Sequence, residues 1–351
     1  MKVSIIGGGG LVGSMTAYAL QCGGVVSSIC VIDANKDMAQ GVATDLLNGA
    51  CLVPADQRIT AGDYSDMPSS DIVVVTAGLR RKPDESRLDL INRNVDLFLG
   101  ILDQIKTAGL KKDAVVVVVS NPVDVLTYLT VQRVGLPWQR VIGLGTQLDT
   151  SRFRSYLARR LQAPATQVQA MILGEHGDSM VPVWSSATVA GLPLEQWPGF
   201  NATVAKEIFE ETKTAGATLI KLKGGSGFGV GLSIREVIHA LAQDSRRVLP
   251  VSTLQQGLYG VRDVCLSVPT EVGCGGARKQ FDLPLTPKER AGIQNSARVL
   301  REIIDQVETR IGKVRANGAE VPAPRGNAAP QSNGSGRAIP RSSWQGRVAK
   351  A

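Results

Sequence analysis

Aromatic residues make up only 4% of the 351-residue chain, and histidine occurs twice. With so few aromatics, a core here must rest on Val, Leu, Ile and Ala. The five cysteines (Cys22, Cys30, Cys51, Cys265, Cys274) are odd in number, lie far apart and include no CxxC pair. That pattern argues against a disulfide framework and for reduced thiols, and so for a cytoplasmic location. Cys and His show no metal-ligand spacing, and no metal is expected. Long apolar runs are missing too. The longest, Ala114 to Val119, is far too short to span a bilayer. The N-terminus lacks the basic, apolar and cleavage-site pattern of a secretory signal. No membrane partner is expected.

What remains is an ordinary globular composition, 43% hydrophobic and 20% charged, long enough for two modest domains. The net charge of +8 is unevenly spread: residues 315–351 hold six Lys/Arg against Glu320, with four prolines and five glycines. This segment reads as a disordered basic tail, with Trp344 its one oddity. It lacks the aromatic interleaving of a nucleic-acid binder, so nucleic acid is not the expected partner.

Along the chain, Lys2–Ile6 is a short strand run that breaks into four glycines. Apolar residues at helical spacing follow over Leu11–Leu20, and Ser28–Ile32 returns to strand character, completing a βαβ unit. Further strands are expected at Ile72–Val75, Val115–Val119 and Val141–Leu144, with a long helix over Leu88–Thr107. Apolar strands alternating with helices imply an α/β fold, a doubly wound parallel sheet covered on both faces. From about Gly145 the texture becomes mixed α+β: a helix over Asp149–Leu161, strands around Val168–Leu173 and Leu249–Tyr259, and a last helix over Thr286–Ile311. Thr286-Pro287-Lys288-Glu289 is a capping-box start for that helix. The expected domains are 1–145, 146–314 and the tail 315–351.

Gly8-x-Gly10-x-x-Gly13 follows the first strand and opens the first helix, and Asp33 lies twenty residues beyond Gly13. Gly8 would permit a tight turn, Gly10 would let a pyrophosphate approach the backbone, and Gly13 would allow close helix–strand packing. A carboxylate at Asp33 would accept ribose hydroxyls and repel a 2′-phosphate. The expected cofactor is NAD. A glycine-rich turn alone is weak evidence, but strand, helix and distal acid together make a specific pattern.

His176, in Gly174-Glu175-His176-Gly177-Asp178-Ser179, is flanked by glycine and acid. Alone it reads more readily as a surface-turn residue than as a catalyst. Asp149 and Arg152 stand three apart at a helix start, which alone suggests a local ion pair. Asn121, in Ser120-Asn121-Pro122, ends a very apolar strand, where open α/β sheets place ligands. Arg80-Arg81-Lys82-Pro83-Asp84-Glu85-Ser86-Arg87 is either a solvated loop or a lid.

In this order the segments GGGLVG, VID, TAGLRRKPDESR, VSNPVD, LDTSRFR, LGEHGDSMVPV and GLYGVRDVCLSVP resemble the L-lactate/L-malate dehydrogenase family over about residues 2–312. The resemblance implies a Rossmann-type NAD-binding domain, then a mixed α+β substrate domain, assembled as a homodimer or homotetramer. By the same resemblance His176 is the acid/base, Asp149 its partner and Arg152 the clamp on the substrate carboxylate. Arg87 polarises the ketone from the lid, and Asn121 touches substrate and cofactor. These residue types suit reduction of a 2-oxo acid, which needs a proton on oxygen and stabilisation of the charge developing there.

Arg81, six residues before Arg87, is implied to face the substituent on the substrate's C3. Lactate enzymes typically have Gln there and malate enzymes Arg. A guanidinium would pair with a second carboxylate, an attraction of about 4 kcal/mol at roughly 4 Å and an effective dielectric of ~20. Facing a methyl group it would be an unpaired charge. Ser226, in Gly224-Gly225-Ser226-Gly227-Phe228, aligns with a pocket position where lactate enzymes more often carry Thr. Asp84-Glu85 and the segments Arg246–Thr253 and Gly257–Gly260 look more like lactate enzymes. The sequence reading favours L-malate dehydrogenase, with L-lactate dehydrogenase as the alternative. A non-enzymatic NAD-binding protein acting through its basic tail is the remote third.

Overall fold

The computed structural model describes residues 1–79 and 85–312, apart from the Arg87 side chain. Residues Arg80 to Asp84, Arg81 among them, and the expected tail 315–351 lie outside the described residues.

The first half alternates strand and helix as its apolar runs dictate. β1 (Lys2–Ile6), α1 (Leu11–Gly23), β2 (Ser28–Ile32), α2 (Lys36–Asn48), β3 (Arg58–Gly62) and β4 (Ile72–Val75) are followed by α3 (Arg87–Ala108), β5 (Val115–Val118), α4 (Val123–Arg133) and β6 (Val141–Gly143). The second half holds α5 (Gln147–Arg160), β7 (Val168–Leu173), β8 (Val181–Val189), the short β9 (Leu192–Pro193), α6 (Ala202–Lys223) and α7 (Phe228–Ala242). It closes with β10 (Arg247–Gln256), β11 (Arg262–Gly273), β12 (Gly276–Gln280) and α8 (Pro287–Arg310).

β1 to β6 form a parallel sheet in the order β3-β2-β1-β4-β5-β6. Strand alternation sorts its side chains to two faces. Val73, Val75, Val116 and Val118 pack with Phe98 and Leu102 of α3 and Leu126 and Leu129 of α4. Ile72, Val74, Val115 and Val117 pack with Leu20 of α1 and with Ile234 and Ile238 of α7. Each such fully buried Val or Leu contributes about 1.5–3 kcal/mol. Aliphatic side chains thus carry this sheet, as the scarcity of aromatics requires.

The second half does not stand apart from this sheet. β10 runs antiparallel to β6, and β11 and β12 extend the sheet to nine strands. β3, β8, β9, β11 and β12 were not expected from the sequence. The strand expected to reach Tyr259 stops at Gln256; Tyr259 sits in a tight turn with φ +57. β7, β8 and β9 make a separate antiparallel sheet, packed with α5 and α6 around Phe153, Leu157 and Val189. Among the described residues no helix is long and apolar enough to cross a membrane.

Candidate active site

The cofactor end is built by the turn between β1 and α1. Gly8 lies inside the tight turn closed by the Gly10 N–H donating to the Gly7 carbonyl at 3.1 Å, and the left-handed residue of that turn is Gly7 (φ +81). Gly8 is required for space: a Cβ there would stand 2.7 Å from Val31 Cγ1 and 2.9 Å from the Ile5 carbonyl. At Gly13 a Cβ would stand 2.2 Å from the Gly7 carbonyl, so the helix start is seated directly on the turn. Gly10 is the N-cap of α1 and supplies no side-chain cap, leaving main-chain N–H groups as the donors at that end. Asp33 follows β2. Its carboxylate accepts the Gly9 N–H and the Asn35 N–H, both at 3.0 Å, which holds it beside the glycine turn. A backbone cradle that any side chain would fill, with an acid at its rim, fits the diphosphate and adenosine ribose of a dinucleotide.

The second group of residues gathers at the ends of β5, β7 and α5. α5 begins at Gln147, so Asp149 lies in its first turn, where the helix dipole favours a carboxylate. Arg152 is one turn on, its Nη1 3.3 Å from Asp149 Oδ1. β7 ends at Leu173, and the next residue, Gly174, exchanges two main-chain hydrogen bonds of 2.9 Å with Ser267 of β11. Gly174 has φ +85, and a Cβ there would meet Ser296 Oγ at 2.5 Å. The chain turns there and presents His176, whose loop is closed by Glu175 Oε2 accepting from Ser179 N–H and Oγ–H.

His176 Nδ1 lies 2.5 Å from Asp149 Oδ2, and Asp149 is 1% exposed. The His176 side chain keeps 21% of its surface exposed, so one edge of the ring is open while the other is held. Burial works against a charged imidazole, but the Asp149 carboxylate outweighs it and raises the His176 pKa. Burial likewise pushes Asp149 up, and His176 and then Arg152 bring its pKa below the usual value. Such a pair can hold a proton near neutrality and release it to a group at the open edge.

The structure thus brings His176, Asp149 and Arg152 together. Asn121 lies exposed in the bend between β5 and α4, its Oδ1 accepting the Val123 N–H at 3.3 Å. Ser226 lies on the loop before α7, between Gly225 and Gly227, which both face Leu11 of α1. Arg87 is the first residue of α3, after the Ser86 N-cap. Both ends of the arginine-rich loop are tied to α3. Asn94 Oδ1 accepts the Leu79 N–H at 2.7 Å, and Arg93 pairs with Glu85 at 2.5 Å. Asp124 was not expected from the sequence: it is 2% exposed, and its Oδ2 accepts the His176 N–H at 2.8 Å. The Val-Ser-Asn-Pro-Val-Asp segment was its only signal.

Two family models cover nearly all of the described chain. One, described as lactate/malate dehydrogenase, NAD binding domain, matches residues 1–143, and the other, lactate/malate dehydrogenase, alpha/beta C-terminal domain, matches residues 146–311. The chain belongs to the lactate/malate dehydrogenase family. It is an oxidoreductase of that family, and its cofactor is NAD(H). L-lactate dehydrogenase 1 of Clostridium acetobutylicum is 39% identical over 87% of this chain and 98% of its own length. L-lactate dehydrogenase of a Synechococcus species is 41% identical over 88% and 99%. Among solved structures, a minor L-lactate dehydrogenase from Enterococcus mundtii is 37% identical with a TM-score of 0.84, covering 87% of this chain and 98% of that one.

Proposed function

We propose that this member of the family is an L-lactate dehydrogenase, interconverting pyruvate and L-lactate. The observation that carries the reading is the His176–Asp149 pair at 2.5 Å beside Arg152, in a chain similar over its whole described length to proteins named L-lactate dehydrogenase. This replaces malate, the sequence-based expectation, as the first reading.

NAD(H), when bound, exchanges a hydride with C2 of the substrate. In the reduction direction, His176 in its charged form gives the Nε2 proton to the ketone oxygen, and Asp149 supports that form at Nδ1. In the oxidation direction neutral His176 takes the hydroxyl proton back. Arg152 offers a planar fork to the substrate carboxylate while one nitrogen stays by Asp149. Arg87 is assigned the negative charge that grows on the ketone oxygen, an interaction stronger in the transition state than in the ground state. Asn121 contacts substrate and cofactor, and Ser226 lines the pocket. Gly8, Gly10 and Gly13 take the diphosphate, and Asp33 takes the ribose. The working form is a homodimer or homotetramer in the cytoplasm.

A second reading, malate and oxaloacetate, has one specific observation in its favour: Arg81, where lactate enzymes typically have Gln. The test measures NADH oxidation with pyruvate and oxaloacetate in parallel, on the wild type and on Arg81→Gln. A larger kcat/KM for pyruvate in the wild type supports lactate. A preference for oxaloacetate that falls by orders of magnitude in Arg81→Gln moves the assignment to malate. Turnover of neither by protein that still binds NADH leaves a binding protein and sinks both readings.

A further inference from the structure

A cleft of about 800 Å³ opens at the N-terminal ends of β5 and β6, the opposite edge of the sheet from Asn121 and the glycine turn. The last turn of α3, the residues after α4 and the loops entering the two strands line it. Gly109 (φ +85) and Gly135 (φ +76) follow the two helices, and a Cβ on either would meet nothing within 4 Å. The helix ends are thus left open rather than packed over. The floor is aliphatic: Ile105 is buried, and Leu110, Val134 and Leu136 pack against the same core while staying partly exposed.

Every polar side chain that lines the cleft, among the described residues, is charged: Lys106, Lys111, Lys112 and Arg140 against Asp113. Lys111 is spent on Asp71, at 2.6 Å. Arg140 donates to the Asp113 main-chain carbonyl, which leaves its charge without a carboxylate partner among the described residues. Lys106 and Lys112 are exposed and make no ion pair there either. Lys106 complements the C-terminal end of the α3 dipole, but Lys112 stands beyond the helix and gains nothing from it. Even with Asp71 and Asp113 counted, four cations face two carboxylates, so the rim carries an excess of positive charge. No aromatic ring, hydroxyl or amide side chain among the described residues lines the cleft. It therefore offers nothing to stack on a base or to read the hydroxyls of a sugar. The basic segment 315–351 has the wrong sign to fill it.

We propose that this cleft is a second ligand site, which takes a medium-chain aliphatic carboxylate. The hydrocarbon lies on Leu110, Val134 and Leu136, and Lys106, Lys112 and Arg140 hold the carboxylate at the rim. An aliphatic floor with a few charged groups at one edge, in a volume within the roughly 300–1,000 Å³ of small-molecule sites, suits such an amphiphile. The site is separate from His176 and Arg152 and goes beyond the 2-oxo acid reaction.

Titration calorimetry of the full-length, NADH-loaded protein with octanoate and decanoate tests it, with 1-octanol as the uncharged counterpart. One octanoate per chain is expected, bound equally well with L-lactate or L-malate present at the Arg152 site. Decanoate should bind about 10-fold more tightly, for its two extra methylenes. Affinity for both acids should fall as salt is added. In Lys106→Gln/Lys112→Gln, octanoate affinity should drop about 3–30-fold, with kcat and KM measured without octanoate unchanged. Both lysines are exposed, so the variant keeps the fold. Three results would each overturn the proposal: no binding of either acid, 1-octanol binding as tightly as octanoate, or equal octanoate affinity in the double variant. Displacement of octanoate by L-lactate or L-malate would place it at Arg152 and overturn the proposal as well. The double variant gives its answer even in a protein that turns over neither pyruvate nor oxaloacetate, so failure of the proposed function leaves this result standing.

Discussion

Asp149 answers to two cations, the His176 ring at 2.5 Å and the Arg152 guanidinium at 3.3 Å, while almost wholly removed from water. Asp149→Asn keeps the shape and removes the charge. It should lower kcat/KM for pyruvate reduction at neutral pH by about 10²–10⁴-fold, with part of the loss recovered toward acid pH, where His176 protonates unaided. A pH profile of the variant checks this; a loss equal at every pH would mean that Asp149 only positions the ring. The pair also links pH to stability. The raised His176 value contributes stability below its unfolded pKa of about 6.5, and this is lost as pH rises through the folded value. The depressed Asp149 value contributes above about 3.9, and this is lost as pH falls through the folded value. The Tm gap between wild type and Asp149→Asn should therefore be widest between those limits. Of the residues in this group, His176, Asp149 and Arg152 were legible only through the order of motifs that resembles the family, since alone each reads as a turn residue or a local ion pair. Asp124 was not, because its use depends on a main-chain N–H 52 residues away.

At the scale of elements, α8 shows how local and distant signals combine. The capping box read from Thr286 and Glu289 is present, with Glu289 Oε2 accepting from the Thr286 N–H at 2.8 Å. The same carboxylate also accepts from Trp184 N–H, Ser185 N–H and the Ser185 hydroxyl on β8. One side chain therefore starts a helix and fastens it to a strand that the sequence did not reveal. Burial pushes Glu289 up, but the Ser185 and Thr286 donors outweigh it and hold its pKa below the usual value. Glu289→Gln should cost about 1–3 kcal/mol at pH 7. Because the folded pKa is depressed, that advantage is present above about 4.3 and is lost as pH falls through the folded value. Calorimetric Tm values at pH 7 and near pH 4 should show the gap narrowing; a constant gap would contradict the charge-based account. Of the strands that went unread, β3 has only Ile59 buried, and β8, β9, β11 and β12 carry polar or proline residues and pair antiparallel. β4 and β5 were readable because, buried on both faces, they are continuously apolar, and β1 and β2 because all but their first residue are buried and mostly apolar.

For the whole molecule, the alternating first half gave away its parallel sheet, while the second half's share in that sheet was hidden. The β6–β10 pairing rests on Ser252 meeting Gly143, a contact with no local signature. It also places β10 and β11 beside the first half's strands, and Ser267 of β11 bonds to Gly174 at the start of the His176 loop. The basic residues 315–351 lie beyond the matched family segments, and their deletion should leave steady-state kinetics nearly unaltered; a large loss would assign them to assembly or closure. The central claim is that this body reduces a 2-oxo acid using the His176 proton. Stopped-flow mixing of NADH-loaded wild type and His176→Asn with pyruvate, and in parallel with oxaloacetate, tests it most directly. The account predicts unchanged NADH affinity and a transfer rate about 10²–10⁴-fold slower in the variant with whichever acid the wild type turns over. A variant that transfers hydride within a few-fold of the wild-type rate would contradict it.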